Sequence, residues 1–167
     1  MIGKLLKNRR VGQAGLAWSS PNWTVETALA LTGPDFAHET AIPTVYAARR
    51  VDGENLSPAP EVGQVPADAA QLLLVVEDPD APMPMPYNHG IALLDPSMTG
   101  LAQGALAAEN PALGVRLLNS GSRRGYLGSA PIKGHGPHRY VFQLFPLAQP
   151  LIVGTSKAVR TPPSHAR

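Results

Sequence analysis

Apolar residues fall along this chain in short runs and alternations, and their spacing predicts strands. "QLLLVVEDP", residues 71–79, is a continuous apolar run stopped by Asp-Pro. That pattern fits a strand covered on both faces; a short buried helix would look the same, and the prolines that follow favour the strand. "HGIALLDP" places His89, Ile91, Leu93 and Asp95 on one face and Gly90, Ala92 and Leu94 on the other. Both faces are mostly apolar, which predicts a central strand. "HRYVFQLFPL" alternates again, with His138, Tyr140, Phe142 and Leu144 on one side and Arg139, Val141, Gln143 and Phe145 on the other. Upstream, "TVETALAL" alternates like a half-buried strand, and "IPTVYAARRVDGEN" reads as a strand followed by an Asp-Gly turn. "GLAQGALAAEN", residues 100–110, is the best candidate for a helical turn, kept short by its glycines.

Composition supports this picture. The 167 residues, with 18 Pro and 16 Gly spread throughout, suit a strand-and-loop domain better than long helices. One core is enough for this length. We divide the chain into a basic N-terminal extension (1–20), a single domain (21–155) and a basic C-terminal tail (156–167), and expect disorder at the two ends. With no cysteine, disulfides, thiol catalysis and thiolate metal sites are excluded. The first 18 residues lack the apolar run of a secretory signal, and the longest strongly apolar run, Leu72 to Val76, is far below the ~20 residues of a membrane span. A cytoplasmic chain is the expectation.

Charge is unevenly placed. Residues 26–109 hold all 12 acids against Arg49 and Arg50, a net of −10, whereas residues 110–167 hold eight Lys and Arg and no acid. The plain expectation is that the acidic middle and the basic last third pair across one fold. There is no dense basic run with interleaved aromatics, so nucleic acid is not an expected partner.

Two polar strand ends, "EDPDAP" and "HGPHRY", together with the strand that His89 opens, would line one cavity if they met at one sheet edge. The ordered set "DPDAP", a His opening a strand, and "GYLGSAPIKGHGPHRYVFQLF" resembles the phosphatidylethanolamine-binding protein family, which includes the Raf kinase inhibitor proteins and many small bacterial relatives. The upstream "DGENLSP" after an Ile-Pro segment is similar as well, and the resemblance covers roughly Leu29 to Leu147. It implies a mainly β fold: a large antiparallel sheet packed on a smaller one, with short peripheral helices and a small pocket for phosphate-like groups. Asp78 and Asp80 fall on the family's pocket aspartates, His89 on the histidine after the loop, and His138 and Tyr140 on the "HRY" strand. Tyr126 and Gly128 lie in the Gly-rich loop. The chain departs from the family pattern at Ser129 and Ile132, where prolines are usual, and at Gly90, where bacterial members often carry Trp.

Two carboxylates are a poor lining for an anion. Beside an imidazole they favour the imidazolium, so Asp78 and Asp80 are expected to hold His89 or His138 charged, with ring N–H groups facing the anion and Tyr140 and Tyr126 donating from the side. Backbone N–H groups of the Gly-rich loop would add to this. Such a mixture suits a zwitterionic head group better than a bare dianion, and predicts binding that weakens as the histidines lose protons. Each residue also has a plainer account. The aspartates brace a proline-rich turn, His89 is a satisfied core histidine, Arg139 pairs with an acid of the middle segment, and His135 of "HGPH" is a loop residue rather than half of a metal pair. The expected function is a ligand-binding protein for a phosphate-like small molecule or phospholipid head group, with no cofactor or metal and with a protein partner such as a kinase as a further expectation. The alternative is an acid–base enzyme built on the same Asp/His set, although no nucleophile motif accompanies it.

Overall fold

The computed structural model describes residues 2–21 and 29–153. Seven strands form two antiparallel sheets: β1 (Leu31–Thr32), β2 (Glu61–Val62), β3 (Gln71–Asp78), β4 (Tyr87–Leu94), β5 (Val115–Ser120), β6 (Arg123–Arg124) and β7 (Val141–Leu147). β1 and β2 make a small sheet, and the other five run in the order β6-β5-β4-β3-β7. The large sheet packed on a smaller one is as the sequence implied.

β3 and β4 lie at the centre because both of their faces are apolar. Leu72, Leu74, Val76, Ala92, Leu94 and Leu144 form one core layer, covered by Leu101, Leu106 and Tyr126 and by Leu31 and Val62 of the small sheet. Leu73, Val75, Ile91, Leu93 and Phe145 form the other, covered by Ala17, Leu151 and Val153.

One irregularity positions the site. The β3–β4 register runs evenly up to the Val76–Gly90 pair, then shifts, so that Glu77 faces Asn88 and Asp78 faces Tyr87. His89 is the extra residue of a β-bulge, and a bulge re-aims side chains. The expected alternation put His89 with Ile91 and Leu93. The bulge instead turns its ring to the face of Asp78 and Tyr87, where its centroid lies 5.0 Å from that of Tyr87.

Other expectations change as well. "IPTVYAARRVDGEN" is not a strand: two 3₁₀ turns, Thr44–Tyr46 and Arg49–Val51, occupy it, and Asp52 closes the second with φ 64°. Pro43 starts the first turn without a sheet neighbour to pair with, so local propensity yields to turn chemistry. "GLAQGALAAEN", expected to hold a short helical turn, forms hydrogen-bonded turns, with Ala105 N–H donating to the Ala102 carbonyl and Ala107 N–H to the Gly104 carbonyl. Most of "TVETALAL", and the 156–167 tail, lie outside the described residues; of the former's described residues, Leu31 belongs to a strand. Residues 2–20, expected to be disordered, lie against the sheet.

Leu74 is 1% exposed in the thicker core layer. Leu74→Ala is expected to lower stability by about 3 kcal/mol in urea unfolding, the usual cost of a large-to-small change in a packed core. A loss below about 1 kcal/mol would contradict the central placement of β3.

Candidate functional site

Asp78 ends β3, and the Asp-Pro-Asp sequence immediately turns the chain back. The Asp80 N–H donates to Asp78 Oδ1 at 2.8 Å, the Asx brace that such a sequence favours. Both carboxyl groups are buried, so each must find compensation. Asp80 finds it in two arginines. Its oxygens accept the backbone N–H, Nε and Nη2 of Arg139, each at 2.8 Å, and Arg10 Nη1 at 2.9 Å. Burial pushes its pKa up, but the Arg139 side chain and backbone, together with Arg10, outweigh it and hold the carboxyl well below the usual carboxylate range. Asp80 therefore faces arginines, not the expected ligand pocket. Among the described residues, Asp80–Arg139 is an ion pair that joins the acidic middle to the basic last third.

Asp78 Oδ2 lies 2.7 Å from His138 Nδ1. The far side of that ring continues: His138 Nε2 is 2.8 Å from His135 Nδ1, and His135 Nε2 is 2.9 Å from the Leu6 carbonyl oxygen. His135 belongs to the turn after Ile132, a loop residue as expected, but it is 1% exposed and links this buried chain.

His89 sits beside this chain with its ring held edge-on between Tyr87 and Tyr140, whose centroids are 5.0 and 4.9 Å away. Its Nδ1 lies 2.7 Å from the Leu127 carbonyl, which can only accept, so Nδ1 carries the hydrogen. Burial lowers the His89 pKa from its usual value. The Leu127 bond and the charge of Asp78 oppose that shift, and the charges of Arg123 and His138 add to it. The expectation that the aspartates keep this ring charged is corrected: one carboxylate is neutralised by arginines, the other is shared with His138, and desolvation wins. His89 Nε2 is thus an acceptor, and it has no hydrogen-bond partner among the described residues.

Tyr140 lies on the same side. Its oxygen accepts the Ala130 N–H at 3.2 Å, and burial, then the charge of Asp78, push its pKa up to about 12, so it keeps its proton. The Arg123 guanidinium carbon stands 4.7 Å over the Tyr87 ring, which brings a cation to the edge of the cluster.

The Gly-rich loop does not serve as expected. Tyr126 belongs to the core, and its hydroxyl donates to the Tyr46 carbonyl at 3.3 Å. The N–H groups of residues 126, 127 and 128 go to the Leu106 carbonyl, the His89 carbonyl and Asn55 Oδ1. Gly128 is needed for packing: a Cβ there would stand 2.4 Å from the Ala47 carbonyl carbon. A Cβ at Gly90 meets Gly125 and Tyr126 at an ordinary 3.7 Å, so the loop backbone closes over the strand where a large wall residue would stand.

Asp78, His89, His138 and Tyr140 are therefore brought together, while Asp80, Tyr126 and Gly128 support them from outside. Sequence reasoning did not name Tyr87 or Arg10 for the site, and it weighed Arg123 and His135 but preferred loop roles for them. Tyr87 was signalled by its position two before His89, and His135 by its spacing from His138; nothing local marked Arg10. Among the described residues, no group of three or more His, Asp or Glu side chains is arranged to hold a metal ion. Both Asp78 oxygens already accept hydrogen bonds, which leaves the acid–base alternative without an idle carboxylate. No helix among the described residues is long and apolar enough to cross a membrane.

Residues 32–165 match the family model described as "Phosphatidylethanolamine-binding protein". The chain is similar to the phomoidride biosynthesis cluster protein B of a fungus, at 32% identity over 90% of this chain and 76% of that protein. It is also similar to a UPF0098 protein of Aquifex aeolicus, at 30% identity over 89% and 79%. LppC of Mycobacterium tuberculosis, described as a candidate lipoprotein, is 38% identical over 71% of this chain, and the match spans 55% of that protein. Among solved structures, a phosphatidylethanolamine-binding protein homologue from Chlamydia trachomatis, CT736, superposes with a TM-score of 0.64 at 29% identity, covering 79% of this chain and 82% of that one. Escherichia coli YbcL superposes with a TM-score of 0.68 at 23% identity, covering 79% and 84%, and shows the fold.

Asp80→Asn is expected to cost about 2–3 kcal/mol, the scale of hydrogen bonds to charged groups. The folded pKa lies below the unfolded value of about 3.9, so the stabilisation is present above that value and disappears as pH falls through the folded pKa. Urea midpoints of the two proteins should therefore differ by a constant amount at neutral pH and converge in strong acid. A difference that persists undiminished at low pH would contradict the ion-pair origin.

Proposed function

Because the chain belongs to the phosphatidylethanolamine-binding protein family, we propose that it is a binding protein whose site takes a zwitterionic head group, an ammonium joined to a phosphate, at the Tyr87–His89–Tyr140 edge of the large sheet. The observation that carries this reading is His89 Nε2. The neighbouring carboxylates are engaged by His138, Arg139 and Arg10, and the ring is neutral with its hydrogen on Nδ1. A neutral Nε2 accepts and does not donate, so its ligand must bring a donor. An ammonium does so, and the nearby Asp78 charge favours a cation there. The phosphate end then meets the Arg123 guanidinium and the Tyr140 hydroxyl proton, which has no acceptor among the described residues. Arg123 supplies a charge that a phosphate repays well at a partly exposed edge.

This reading reverses the pH dependence expected from charged histidines. As pH falls through the lowered His89 pKa, Nε2 gains a proton and repels the ammonium. Binding therefore weakens in acid and holds at neutral pH.

A protein partner, a kinase among them, stays a proposal of the family likeness; no surface feature described above selects one.

Isothermal titration of the full chain with phosphoethanolamine, and separately with ethanolamine and with inorganic phosphate, tests this. The expected result is binding of phosphoethanolamine at least about tenfold tighter than either half. His89→Phe and Arg123→Ala should each weaken it about tenfold, the value of one good polar contact of about 1.4 kcal/mol. Equal binding by inorganic phosphate alone, or indifference to His89→Phe, would overturn the zwitterion reading.

A further inference from the structure

Residues 2–20 lie outside the region matched to the family and form a strap along the sheet. Most of its fastenings are independent of pH near neutrality. Arg10 Nη1 holds Asp80 and also donates to the Pro137 carbonyl at 3.0 Å. The Gly12 N–H donates to the Pro79 carbonyl at 3.0 Å, Ala17 N–H to Glu77 Oε2 at 2.9 Å, and Trp18 N–H to Gln143 Oε1 at 2.9 Å. N-terminal to Arg10, Gly3 packs closely on the Lys133–His135 backbone, and the side-chain hydrogen bond that holds the strap is different: the Leu6 carbonyl, held by His135 Nε2.

That anchor ends a chain of three contacts, Asp78 Oδ2 to His138 Nδ1, His138 Nε2 to His135 Nδ1, and His135 Nε2 to the Leu6 carbonyl. Each contact needs one hydrogen between its two heavy atoms. Two neutral imidazoles bring only two, and the Leu6 carbonyl brings none. A third proton is therefore required. It makes one imidazole cationic against the Asp78 carboxylate, or it sits on Asp78 itself; in every arrangement the three side chains together are neutral. When that proton is lost, one contact has two lone pairs facing each other. The Asp78–His138 contact keeps its hydrogen, because the carboxylate is the strongest acceptor of the three. The remaining hydrogen must then choose between His138 and Leu6. His138 is fixed in the packed face, its side chain 2% exposed, whereas Leu6 belongs to a short surface segment whose neighbour Leu5 is 85% exposed.

We propose that Asp78, His138 and His135 share one proton that fastens the N-terminal strap through the Leu6 carbonyl, so that its loss at raised pH releases the residues before Arg10. The charged and titratable groups facing this chain are Asp78 at the end of β3, the arginine-neutralised Asp80 after it, His89 from β4, Arg139 and Tyr140 ahead of β7, and from the strap Arg10, against Gly136 and Pro137, and Lys4, against Gly134. The sign follows from the count. The strap is closed while the shared proton is held and opens when it is lost. The inference needs no ligand, so it stands or falls separately from the head-group reading.

The decisive variant is Asp78→Asn. An Asn at 78 keeps an oxygen for the Asp80 N–H and presents an amide N–H to His138 Nδ1. His138 then donates through Nε2 to His135, and His135 donates to Leu6. All three contacts are filled with no proton to lose. Amide hydrogen exchange of the full chain, corrected for intrinsic rates and followed from pH 5 to pH 9, reads the result. In the wild type, protection at Leu6 and Arg9 should fall at least about tenfold across the titration, while the amides of Ala17 and Trp18 stay protected. Asp78→Asn should hold protection at Leu6 and Arg9 across the whole range, and His135→Ala should lack it at every pH with the β3 and β4 amides still protected. Wild-type protection that does not change with pH, or an Asp78→Asn protein whose strap is open at every pH while its strands stay protected, would overturn the proposal. If Asp78→Asn fails to fold, the wild-type profile and His135→Ala still decide it.

Discussion

Two carboxylates buried side by side at the end of a central strand govern this molecule. A buried charge without a partner is far more costly than any single contact described here, so Asp78 and Asp80 must each be answered locally. Asp80 is answered by Arg139 and Arg10, and that requirement brings the start of β7 and the N-terminal strap to the same corner. Asp78 is answered by His138 and by the Asp80 N–H. In the site we propose, what remains for a ligand is then decided by subtraction: the His89 imidazole, two tyrosines and Arg123, an acceptor beside a cation.

The apolar layers were legible in the sequence because they depend on period and length alone. Leu72 to Val76 fitted a strand covered twice, with the prolines after it deciding against a buried helix, and the alternation from His138 to Leu144 gave the correct face for each residue. The face of His89 was not legible. A bulge adds one residue to a strand without any local mark, and that one residue reverses the parity on which the reading rested. The 3₁₀ turns at Thr44–Tyr46 and Arg49–Val51 were missed for a related reason, since β-branched and aromatic residues favour strands only where a neighbouring strand is present to pair with.

The candidate site shows the same division. The aspartates and His138 were found through the ordered motifs, and the plainer accounts of an Asx brace at Asp78 and an arginine partner for an acid proved to describe real bonds. The charge state of His89 was out of reach, because it depends on which carboxylate is neutralised by which distant cation. Arg10 is 70 residues before Asp80, in a stretch whose composition suggested disorder. His135 carried a visible signal in its spacing to His138, but the signal suggested metal binding and the structure uses it for a hydrogen-bond chain.

The state of the His89 ring bears most directly on this account. Long-range ¹H–¹⁵N spectra of the histidine side chains at pH 7, in the ligand-free protein, distinguish the two neutral tautomers from the imidazolium. The account predicts a neutral His89 with its hydrogen on Nδ1 and an unprotonated Nε2. A doubly protonated ring at that pH, or a hydrogen on Nε2, would contradict it.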